Sequence, residues 1–299
     1  MQPVDINYEL YKVFYYVGKT LSFSEASRSL YISQSAVSQS IKTLEKKLGQ
    51  KLFVRSTKKV MLTKEGELLY KHIESAVNLI IHGEAQIYNS GNPDGGQIRI
   101  AASDTICRYY LVPYLNKFHE AYPKVQISVK NGTSARCAQY LSSNEVDLII
   151  TNYPNAKLPA DSAVVDIMEF TDEFVASESA YNVFDKKLTY EELKELPLMM
   201  LDRSTATSTF LHDIFLKKGI DLVPEIEISS NDLLIDLAKI GLGIAFVPDY
   251  CLDPMPDGLK KISLEESITP RKLVAAYSQS VPVAGVAKYF LDILLEGKK

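Results

Sequence analysis

The stretch from residue 22 to residue 49 constrains the fold of this chain more than any other segment. Within it Val37, Ile41, Leu44 and Leu48 recur at the spacing of one helical face, so this face is predicted to be buried. The opposite face carries serine and glutamine, whereas a helix face that only meets water usually carries Glu and Lys. The sequence therefore predicts a helix whose outer face contacts a partner.

Signals at helix ends divide the N-terminal region into three helices. The first is predicted to end at Gly18, a residue type common just after a helix. Ser22 and Glu25 form a capping box that begins a second helix through about Leu30. Ser33 is a good N-cap for the third helix. Two short helices joined by a tight turn are typical of a helix-turn-helix.

The outer face of the third helix carries side chains that read base edges. Gln pairs bidentately with adenine, Ser contacts bases or phosphates, and Lys reaches guanine or phosphate. A helix-turn-helix places the N-terminal half of its second helix in the major groove. We therefore predict double-stranded DNA as a partner, with a solvated helix face as the alternative. The predicted DNA contacts on this helix are Ser33, Gln34, Ser35, Ser38, Gln39 and Lys42.

A β-wing is predicted directly after the third helix. Two short strands, at 52–55 and 60–62, flank a Ser-Thr-Lys-Lys tip. Arg55, Lys58 and Lys59 are expected to lie along the phosphate backbone or to enter a minor groove, contacts that position a protein on DNA. The charge distribution agrees, because the first 63 residues carry ten basic and four acidic residues, against 23 basic and 33 acidic residues in the remainder.

Residues 64–89 contain no proline and are predicted to form one long helix after an N-cap at Thr63. Apolar and small residues recur at alternating spacings of four and three, as in the seam of a coiled coil. This seam comprises Leu69, Ile73, Ala76, Ile80, Gly83 and Ile87. It predicts a dimerisation helix, with a helix that packs only on its own chain as the alternative. The Gly, Pro and Asn residues of 90–96 then predict a hinge.

From residue 97 to residue 299 strands and helices alternate, a rhythm that predicts parallel sheets covered by helices. The chain is therefore assigned to the α/β class, with two lobes at about 97–164 plus 272–299 and at about 165–271. The predicted strands are 97–103, 125–130, 146–151, 173–177, 198–201, 225–229, 243–248 and 271–278, and a last helix runs from about 283 to 295.

Three hydroxyl-rich turns, at 103–105, 132–134 and 204–208, fall where predicted strands give way to helices. Ligands of open α/β sheets bind at the carboxyl ends of the strands. Free N–H groups at helix starts suit a carboxylate or another small polar ligand. Plain N-capping by Ser and Thr is the alternative. Asp104 departs from a simple anion site, since its carboxylate would repel an anion.

The segment FSEASRSLYISQSAVSQSIKTLEKKLGQKLFVRSTKKVMLTKEG resembles the winged helix-turn-helix signature of the LysR-type transcriptional regulators. The matching motifs are S-Q-x-A-x-S, L-E-x-x-L-G, L-F-x-R and L-T-x-x-G, and their order and spacing make the resemblance specific. Ser35 and Gln39 stand where the family often has Pro and Arg. An amide that favours adenine thus replaces a cation, so the family's base preference is not carried over.

The resemblance implies an N-terminal winged helix-turn-helix at 1–63, a linker helix at 64–89, a hinge at 90–96 and a two-lobed, type-2 periplasmic-binding-protein-like effector domain at 97–299. It implies a sequence-specific regulator of operator or promoter DNA that forms a homodimer through its linker helix and then a homotetramer. A small-molecule effector between the lobes would change the angle between them and hence the spacing of the recognition helices. The implied effector contacts are Ser103, Thr105, Thr133, Ser134, Thr205, Thr207 and Val247. The family resemblance places Pro248 in the same effector-contacting segment as Val247.

Other classes of protein fit the sequence less well. Cys107, Cys137 and Cys251 lie far apart and predict neither disulfides nor a zinc site. Buried thiols at Cys107 and Cys137 are favoured over a redox switch. No metal, cofactor or catalytic motif is predicted, so the chain is not expected to be an enzyme. Without a long apolar run or a secretory signal, we expect a cytoplasmic protein with no membrane partner. A cytoplasmic small-molecule-binding protein or enzyme of periplasmic-binding-protein fold remains the alternative.

Overall fold

The structure of the chain is a computed structural model that describes residues 6–55, 59–89, 95–280 and 285–297. The chain divides into two compact units. The first comprises residues 1–91 with 143–145, and the second comprises residues 92–142 with 146–299. No helix among the described residues is long and apolar enough to span a membrane.

The first unit contains the three short helices, the wing and the long helix that the sequence predicts. Their bounds are α1 (Tyr8–Thr20), α2 (Phe23–Leu30), α3 (Gln34–Leu48), β1 (Phe53–Arg55), β2 (Val60–Leu62) and α4 (Lys64–Asn89). The Ser22 hydroxyl accepts a hydrogen bond from the Glu25 N–H at 3.2 Å, and the Ser33 hydroxyl accepts one from the Ala36 N–H at 3.2 Å. These caps confirm the predicted starts of α2 and α3.

The sequence predicts that the first helix ends at Gly18, but this prediction is wrong, because Gly18 lies inside α1. The helix continues to Thr20, and Leu21 takes the left-handed conformation just after it. A Cβ atom at Gly18 would lie 2.4 Å from a ring carbon of Tyr70 in α4. A Cβ atom at Gly66 would likewise lie 2.1 Å from the carbonyl oxygen of Leu52. Both glycines are therefore explained by the close approach of α4 to the rest of the first unit.

The core of the first unit includes the buried face of α3. Val37, Ile41 and Leu44 are fully buried, and Leu48 is half-buried against the same cluster. Leu69 and Ile73, together with Tyr70, pack against this cluster from α4. The first part of the predicted coiled-coil seam therefore packs on its own chain. Further along α4, beyond the buried Val77, four large apolar residues are exposed: Leu79, Ile80, Ile81 and Ile87.

The wing is an antiparallel pair in which Phe53 faces Leu62, Val54 faces Met61 and Arg55 faces Val60. Residues 56–58 of its tip, including the predicted contact Lys58, lie outside the described residues. Residues 90–94 of the predicted hinge also lie outside them.

Within its described residues the second unit contains ten strands in two five-stranded sheets. Its first elements are β3 (Gly96–Ala102), α5 (Asp104–Ile106), a π-helical turn (Cys107–Leu111), α6 (Val112–Ala121), β4 (Val125–Asn131), α7 (Ser134–Ser142), β5 (Leu148–Tyr153), β6 (Ser162–Phe170) and β7 (Asp172–Ser177). The remaining elements are α8 (Tyr190–Lys194), β8 (Leu198–Leu201), α9 (Ala206–Lys217), β9 (Ile226–Ile228), α10 (Asn231–Lys239), β10 (Ile244–Pro248), a 3₁₀ turn (Asp249–Leu252), β11 (Leu259–Lys261), β12 (Arg271–Ser278) and α11 (Val286–Glu296).

Both sheets are mixed, whereas the sequence predicts parallel sheets. The first has the order β4-β3-β5-β12-β6, in which β3 is parallel to β4 and β5 while β12 is antiparallel to β5 and β6. The second has the order β11-β7-β10-β8-β9, in which β8 is parallel to β9 and β10 while β7 is antiparallel to β10 and β11. The antiparallel strands β7 and β12 are those that the chain enters as it passes from one sheet to the other.

Strand β6 is absent from the predicted elements, and the predicted lobe boundary near residue 165 falls inside it. The strand lies at the edge of the first sheet and pairs with β12. Of its nine residues only Ile167 and Phe170 are buried, so its sequence lacks the regular alternation of a half-buried strand. The chain thus stays in the first sheet to Phe170 before it crosses to β7.

Candidate functional sites: the outer face of α3 and a polar cavity

The outer face of α3 carries most of its hydroxyl and amide side chains in the N-terminal half of the helix. Ser33, Gln34, Ser35, Gln39 and Lys42 are exposed, and Ser38 is half-buried. The hydroxyls of Ser33 and Ser35 lie 2.9 Å apart, and the Gln34 side-chain oxygen accepts a hydrogen bond from the Ser24 hydroxyl of α2 at 3.3 Å. The predicted contacts are therefore accessible, and most of them lie near the N-terminal end of α3, which a helix-turn-helix inserts into the major groove.

Tyr31, in the turn between α2 and α3, is a candidate DNA contact that the sequence analysis missed. Its backbone has a φ of 55°, and its side chain is 95% exposed. A large aromatic residue rarely takes a left-handed conformation and rarely lies fully in water. The sequence signal was an aromatic residue in the three-residue turn Tyr31-Ile32-Ser33.

The wing is attached to α3 through Glu45, which is buried at the C-terminal end of the helix. One carboxylate oxygen accepts hydrogen bonds from the N–H groups of Leu52 at 2.9 Å and Phe53 at 3.4 Å. The other oxygen lies 3.1 Å from the Lys51 ammonium. Burial alone would raise the pKa of the Glu45 carboxyl, but these hydrogen bonds outweigh burial and lower it. Glu45 thereby fixes the start of the wing relative to the recognition helix, whereas Arg55 lies within β1 and Lys59 is exposed just before β2.

A polar cavity of about 250 Å³ lies where strands of both sheets end in the second unit. Six of the seven predicted effector contacts line it: Ser103, Thr105, Thr133, Ser134, Thr205 and Thr207. Val247 does not line the cavity, because its side chain is fully buried in the core of the second sheet. Pro248 and Tyr250 line the wall at this point. The other lining residues are Asp104, Asn131, Gly132, Asn152, Leu201, Ala206, Ser229 and Asn231.

Three hydroxyls of the lining act as helix caps. The hydroxyl oxygen of Ser103 accepts a hydrogen bond from the Ile106 N–H at 3.3 Å, and that of Thr133 accepts one from the Arg136 N–H at 3.3 Å. Thr205 accepts a hydrogen bond from the Ser208 N–H at 3.2 Å and also donates to the Asp202 carbonyl at 2.9 Å. All three hydroxyls therefore cap helices, which is the alternative interpretation of these turns. The same three residues also line one cavity.

Amide side chains make up much of the remaining wall. The Asn131 amide nitrogen donates to the Asp104 carboxylate, and the Asn231 amide nitrogen donates to the Thr105 hydroxyl at 2.9 Å. The side-chain oxygens of Asn152 and Asn231 are buried and have no hydrogen-bond partner among the described residues. The asparagines carried no pattern in the sequence, since only the fold brings them to one place.

A buried ion pair lies behind the cavity, where the chain crosses between the two sheets. The Arg271 guanidinium donates to both carboxylate oxygens of Asp172 at 2.6 Å and to the Thr207 hydroxyl at 3.0 Å. The rings of Phe170 and Phe210 lie 4.8 Å and 4.7 Å from its central carbon. Burial raises the pKa of the Asp172 carboxyl, and the Arg271 charge opposes that shift. Thr207 thus accepts a hydrogen bond from the ion pair and also lines the cavity.

The cysteines near the cavity are thiols. Cys107 and Cys137 form no disulfide, and their sulfurs donate at 3.4 Å to the Asn131 side-chain oxygen and the Gly132 carbonyl. Burial raises the pKa of Cys107 to about 11 and that of Cys137 to about 12. Both thiols are therefore protonated near neutral pH, whereas a reactive cysteine needs a lowered pKa. No group of His, Cys, Asp and Glu residues that could hold a metal ion is found within the described ranges.

Comparisons with known proteins identify the family. The model described as "Bacterial regulatory helix-turn-helix protein, lysR family" matches residues 8–67, and the model described as "LysR substrate binding domain" matches residues 91–299. The chain belongs to the LysR family and is a LysR-type transcriptional regulator. Its fold is the expected α/β arrangement of a winged helix-turn-helix, a long helix and a two-sheet effector-binding domain.

Individual relatives agree with this assignment. The HTH-type transcriptional activator CmpR of Synechocystis sp. is 26% identical over 286 residues, which cover 95% of this chain and 93% of that protein. Full-length CbnR complexed with its target DNA has a TM-score of 0.67 at 15% identity and covers 98% of this chain and 100% of its own. The CcmR regulatory domain of Synechocystis, in complex with 2-PG, has a TM-score of 0.63 at 19% identity and covers 69% of this chain and 98% of its own.

Proposed function

We propose that the chain binds operator DNA through α3 and the wing and senses a small polar metabolite in the cavity, as a regulator without catalytic activity. The observation that carries the sensing role is the convergence of polar turns from both sheets on one cavity. The structure of CbnR with DNA and that of CcmR with 2-PG support the two roles. A cytoplasmic location is proposed together with the DNA partner.

Base contacts are assigned to Gln34, Ser38 and Gln39, and contacts that position the helix are assigned to Ser33, Ser35 and Lys42. The amides of Gln34 and Gln39 have the donor and acceptor pair that matches adenine in the major groove. Arg55, Lys58 and Lys59 of the wing supply phosphate contacts, which increase affinity for any sequence.

Two copies are proposed to pair through the part of α4 that carries Leu79, Ile80, Ile81 and Ile87. These side chains are exposed in the chain by itself, and clustered apolar residues on one helix suit a helix partner. A dimer holds two recognition helices about one turn of DNA, or a multiple of it, apart. Pairing of effector-binding domains from different dimers would then give the tetramer that the family resemblance implies.

The effector contacts are assigned to Ser103, Thr105, Thr133, Ser134 and Thr205, with Thr207 in a supporting role. Pro248 is kept from the expected segment and Tyr250 is added, because both line the cavity, whereas Val247 is left out because it does not. A ligand that contacts both walls of the cavity favours one arrangement of the two sheets, which is how it would shift the conformational equilibrium of the protein.

The DNA-binding role is tested with sequences that the full chain selects from a random pool. Gln34→Ala and Gln39→Ala should each weaken binding to the selected sequence by about 1–3 kcal/mol and leave binding to random DNA unchanged. Gln50→Ala is the matched control, because Gln50 is exposed beyond the end of α3. Equal losses on selected and random DNA would contradict the assignment of α3.

Variants of the wing should change DNA affinity in a different way in the same binding assay. Lys58→Ala and Lys59→Ala should weaken both kinds of DNA alike and flatten the dependence of log affinity on log salt by about one unit per lysine. A sequence-selective loss at either lysine would instead assign it a base contact.

A further inference from the structure

The charge of the cavity lining is unusual for a site that would bind an anion. All the lining residues lie in the described part of the chain, and Asp104 is the only one among them with a charged side chain. A purely anionic ligand would therefore meet a negative charge and no cationic side chain. Like charges in contact repel each other, and a carboxylate favours a positively charged partner instead.

The position of Asp104 is fixed from the opposite turn. Asp104 begins α5, and the Asn131 amide nitrogen at the end of β4 donates a hydrogen bond to its carboxylate. This contact uses one of the roughly four acceptor positions of a carboxylate. Helix capping at this turn is already provided by Ser103, so the carboxylate is not needed as the cap.

Two further acceptors on the lining lack a donor. The side-chain oxygens of Asn152 and Asn231 are buried and have no hydrogen-bond partner among the described residues. The Asn231 side chain is only 4% exposed, and its nitrogen is held by Thr105. Asn152 and Asn231 both line the cavity, and buried polar groups in native proteins are nearly always hydrogen-bonded, so their oxygens need a donor that no described residue supplies. With Asp104, the lining residues carry three acceptors for donors of a ligand.

Donors of the cavity come from the backbone. The helices α7 and α9 begin at the cavity and have nine and twelve residues. The first N–H groups of a helix have no partner within it, and they carry a partial positive charge. The Thr133 and Thr205 hydroxyls cap only the N–H groups of Arg136 and Ser208. The N–H groups before these two can therefore hold a carboxylate.

We infer that the ligand of this cavity is a compact zwitterion, an α-amino acid or a similar ammonium carboxylate, whose ammonium group lies at Asp104, Asn152 and Asn231 and whose carboxylate lies at the starts of α7 and α9. The inference rests on the proposed effector role of the cavity and names the class of effector. A volume of about 250 Å³ fits a small metabolite, since it is below the usual range for drug-sized ligands.

The test is a melting-temperature screen of the full chain, followed by calorimetry. One pool contains the twenty protein amino acids. A second pool contains simple mono- and dicarboxylates, 2-oxo acids and sugar phosphates, none of which has an ammonium group. We expect a compound of the first pool to raise the melting temperature by mass action. Its analogue with hydrogen in place of the ammonium group, and its analogue without the carboxylate, should each bind at least about tenfold more weakly, the equivalent of 1.4 kcal/mol.

Variants of the lining test the chemical class of the ligand and the location of its binding site separately. Asp104→Asn should weaken binding of the amino acid about 10–100-fold, as expected for loss of a hydrogen-bonded charge, without lowering the melting temperature of the free protein. Asp257→Asn is the matched control, because Asp257 is exposed and does not line the cavity. Asn152→Ala should weaken binding less than Asp104→Asn. Ser229→Trp, which fills the cavity from an exposed lining position, should abolish binding.

Each contrary outcome has a distinct meaning. A compound of the second pool that binds, is blocked by Ser229→Trp and is unaffected or tightened by Asp104→Asn would overturn the zwitterion and leave the effector role of the cavity intact. Binding that Ser229→Trp does not change would place the ligand elsewhere and overturn both. No melting shift from either pool would also count against both.

Discussion

The outer face of α3 and the cavity are both rich in hydroxyl and amide groups, but these groups are used differently in the two places. On α3 most of them are exposed, and only Ser33 serves as a cap. In the cavity the hydroxyls of Ser103, Thr133 and Thr205 are all engaged in capping helices. The acceptors left without a partner there are amide oxygens, which the sequence did not single out.

This difference indicates two ways of preparing polar groups for recognition. A DNA groove brings its own row of donors and acceptors, so the protein can present flexible side chains on a helix that the core holds in place. A small ligand in a cavity must instead find groups that are already fixed, because ordering them on binding would cost affinity. Caps, an ion pair and backbone N–H groups provide this fixed frame.

The largest expected effect concerns the buried frame of the cavity. Arg271→Met should lower the free energy of unfolding of the second unit by about 3–5 kcal/mol, because it leaves the Asp172 carboxylate buried without its partner. Denaturant unfolding measures this loss. Lys272→Met is the control, since the ion pair of Lys272 with Asp166 is half exposed and should contribute less than about 1 kcal/mol. Similar losses in the two variants would show that the cavity does not depend on its buried ion pair.

The second effect concerns α4. Apolar residues of its first half pack against the core of the first unit, whereas those of its second half are exposed, as are the polar groups of α3. Ile80→Glu combined with Ile87→Glu should leave the chain folded, convert it to a monomer in sedimentation, and weaken operator binding at least about hundredfold through loss of bivalency. Leu68→Glu is the control, because Leu68 is likewise exposed on α4 but lies about three turns before Leu79, outside the proposed interface. An unchanged assembly in the double variant would contradict the proposed interface.

Leu69→Glu completes that comparison within α4. Leu69 packs against the core of the first unit, so a charge there should unfold this unit and not merely separate two copies. Circular dichroism would separate the two behaviours: the double variant keeps its helical signal and the Leu69 variant loses part of it.

A smaller effect concerns Glu45, a buried carboxylate that supports the recognition surface. Burial would raise its pKa, but the hydrogen bonds from Leu52, Lys51 and Phe53 lower it in the folded state. The unfolded chain therefore binds the proton more readily. The stabilisation is complete above the unfolded pKa, about 4.3 for Glu, and is lost as the pH falls through the lower folded value.

Glu45→Gln should remove this part of the acid dependence of unfolding of the first unit, because its side chain does not titrate. Glu45→Ala should cost about 1–3 kcal/mol at neutral pH by leaving buried N–H groups without an acceptor. Glu67→Gln, at an exposed position of the same unit, is the control. The same acid dependence in the Gln variant and the original chain would contradict the role assigned to Glu45.

What the sequence predicted correctly is mostly local. The caps at Ser22 and Ser33 and the wing strands depend on residues within a few positions of each other, so their signals are complete in a short window. Gly18 was assigned to a helix end because its actual cause, the Tyr70 ring, lies more than fifty residues away in the chain. The strand β12 was predicted at its observed position, but its antiparallel direction was missed, since a strand's direction depends on the path of the whole chain through the fold.

The cavity shows the same limit. Its hydroxyl turns were predictable because each follows a strand and begins a helix. The family resemblance placed Val247 and Pro248 together at the effector, but only Pro248 lines the cavity, because the side chain of Val247 packs in the core. Asn231 could not be assigned at all, because its significance depends on burial and on an oxygen without a donor, neither of which leaves a periodic signal.

The smallest effects are expected at the three capping hydroxyls, and they decide how far the contrast between the two sites extends. Ser103→Ala, Thr133→Ala and Thr205→Ala should each lower the free energy of unfolding by about 1 kcal/mol, the usual contribution of an N-cap. Thr205 already both accepts and donates within the protein, so its removal should change effector affinity least. Ser103 and Thr133 only accept in the contacts described here, and each can still donate its hydroxyl hydrogen to a ligand. Their loss should therefore also weaken effector binding, by about 0.5–1.5 kcal/mol if the ligand group is neutral and about 1.5–3 kcal/mol if it is charged.

Calorimetric titration measures the effector affinity of these variants, and thermal melting measures their stability separately. Affinity losses at Thr205 as large as those at Ser103 and Thr133 would mean that capping does not remove a hydroxyl from recognition, and the contrast with α3 would then disappear.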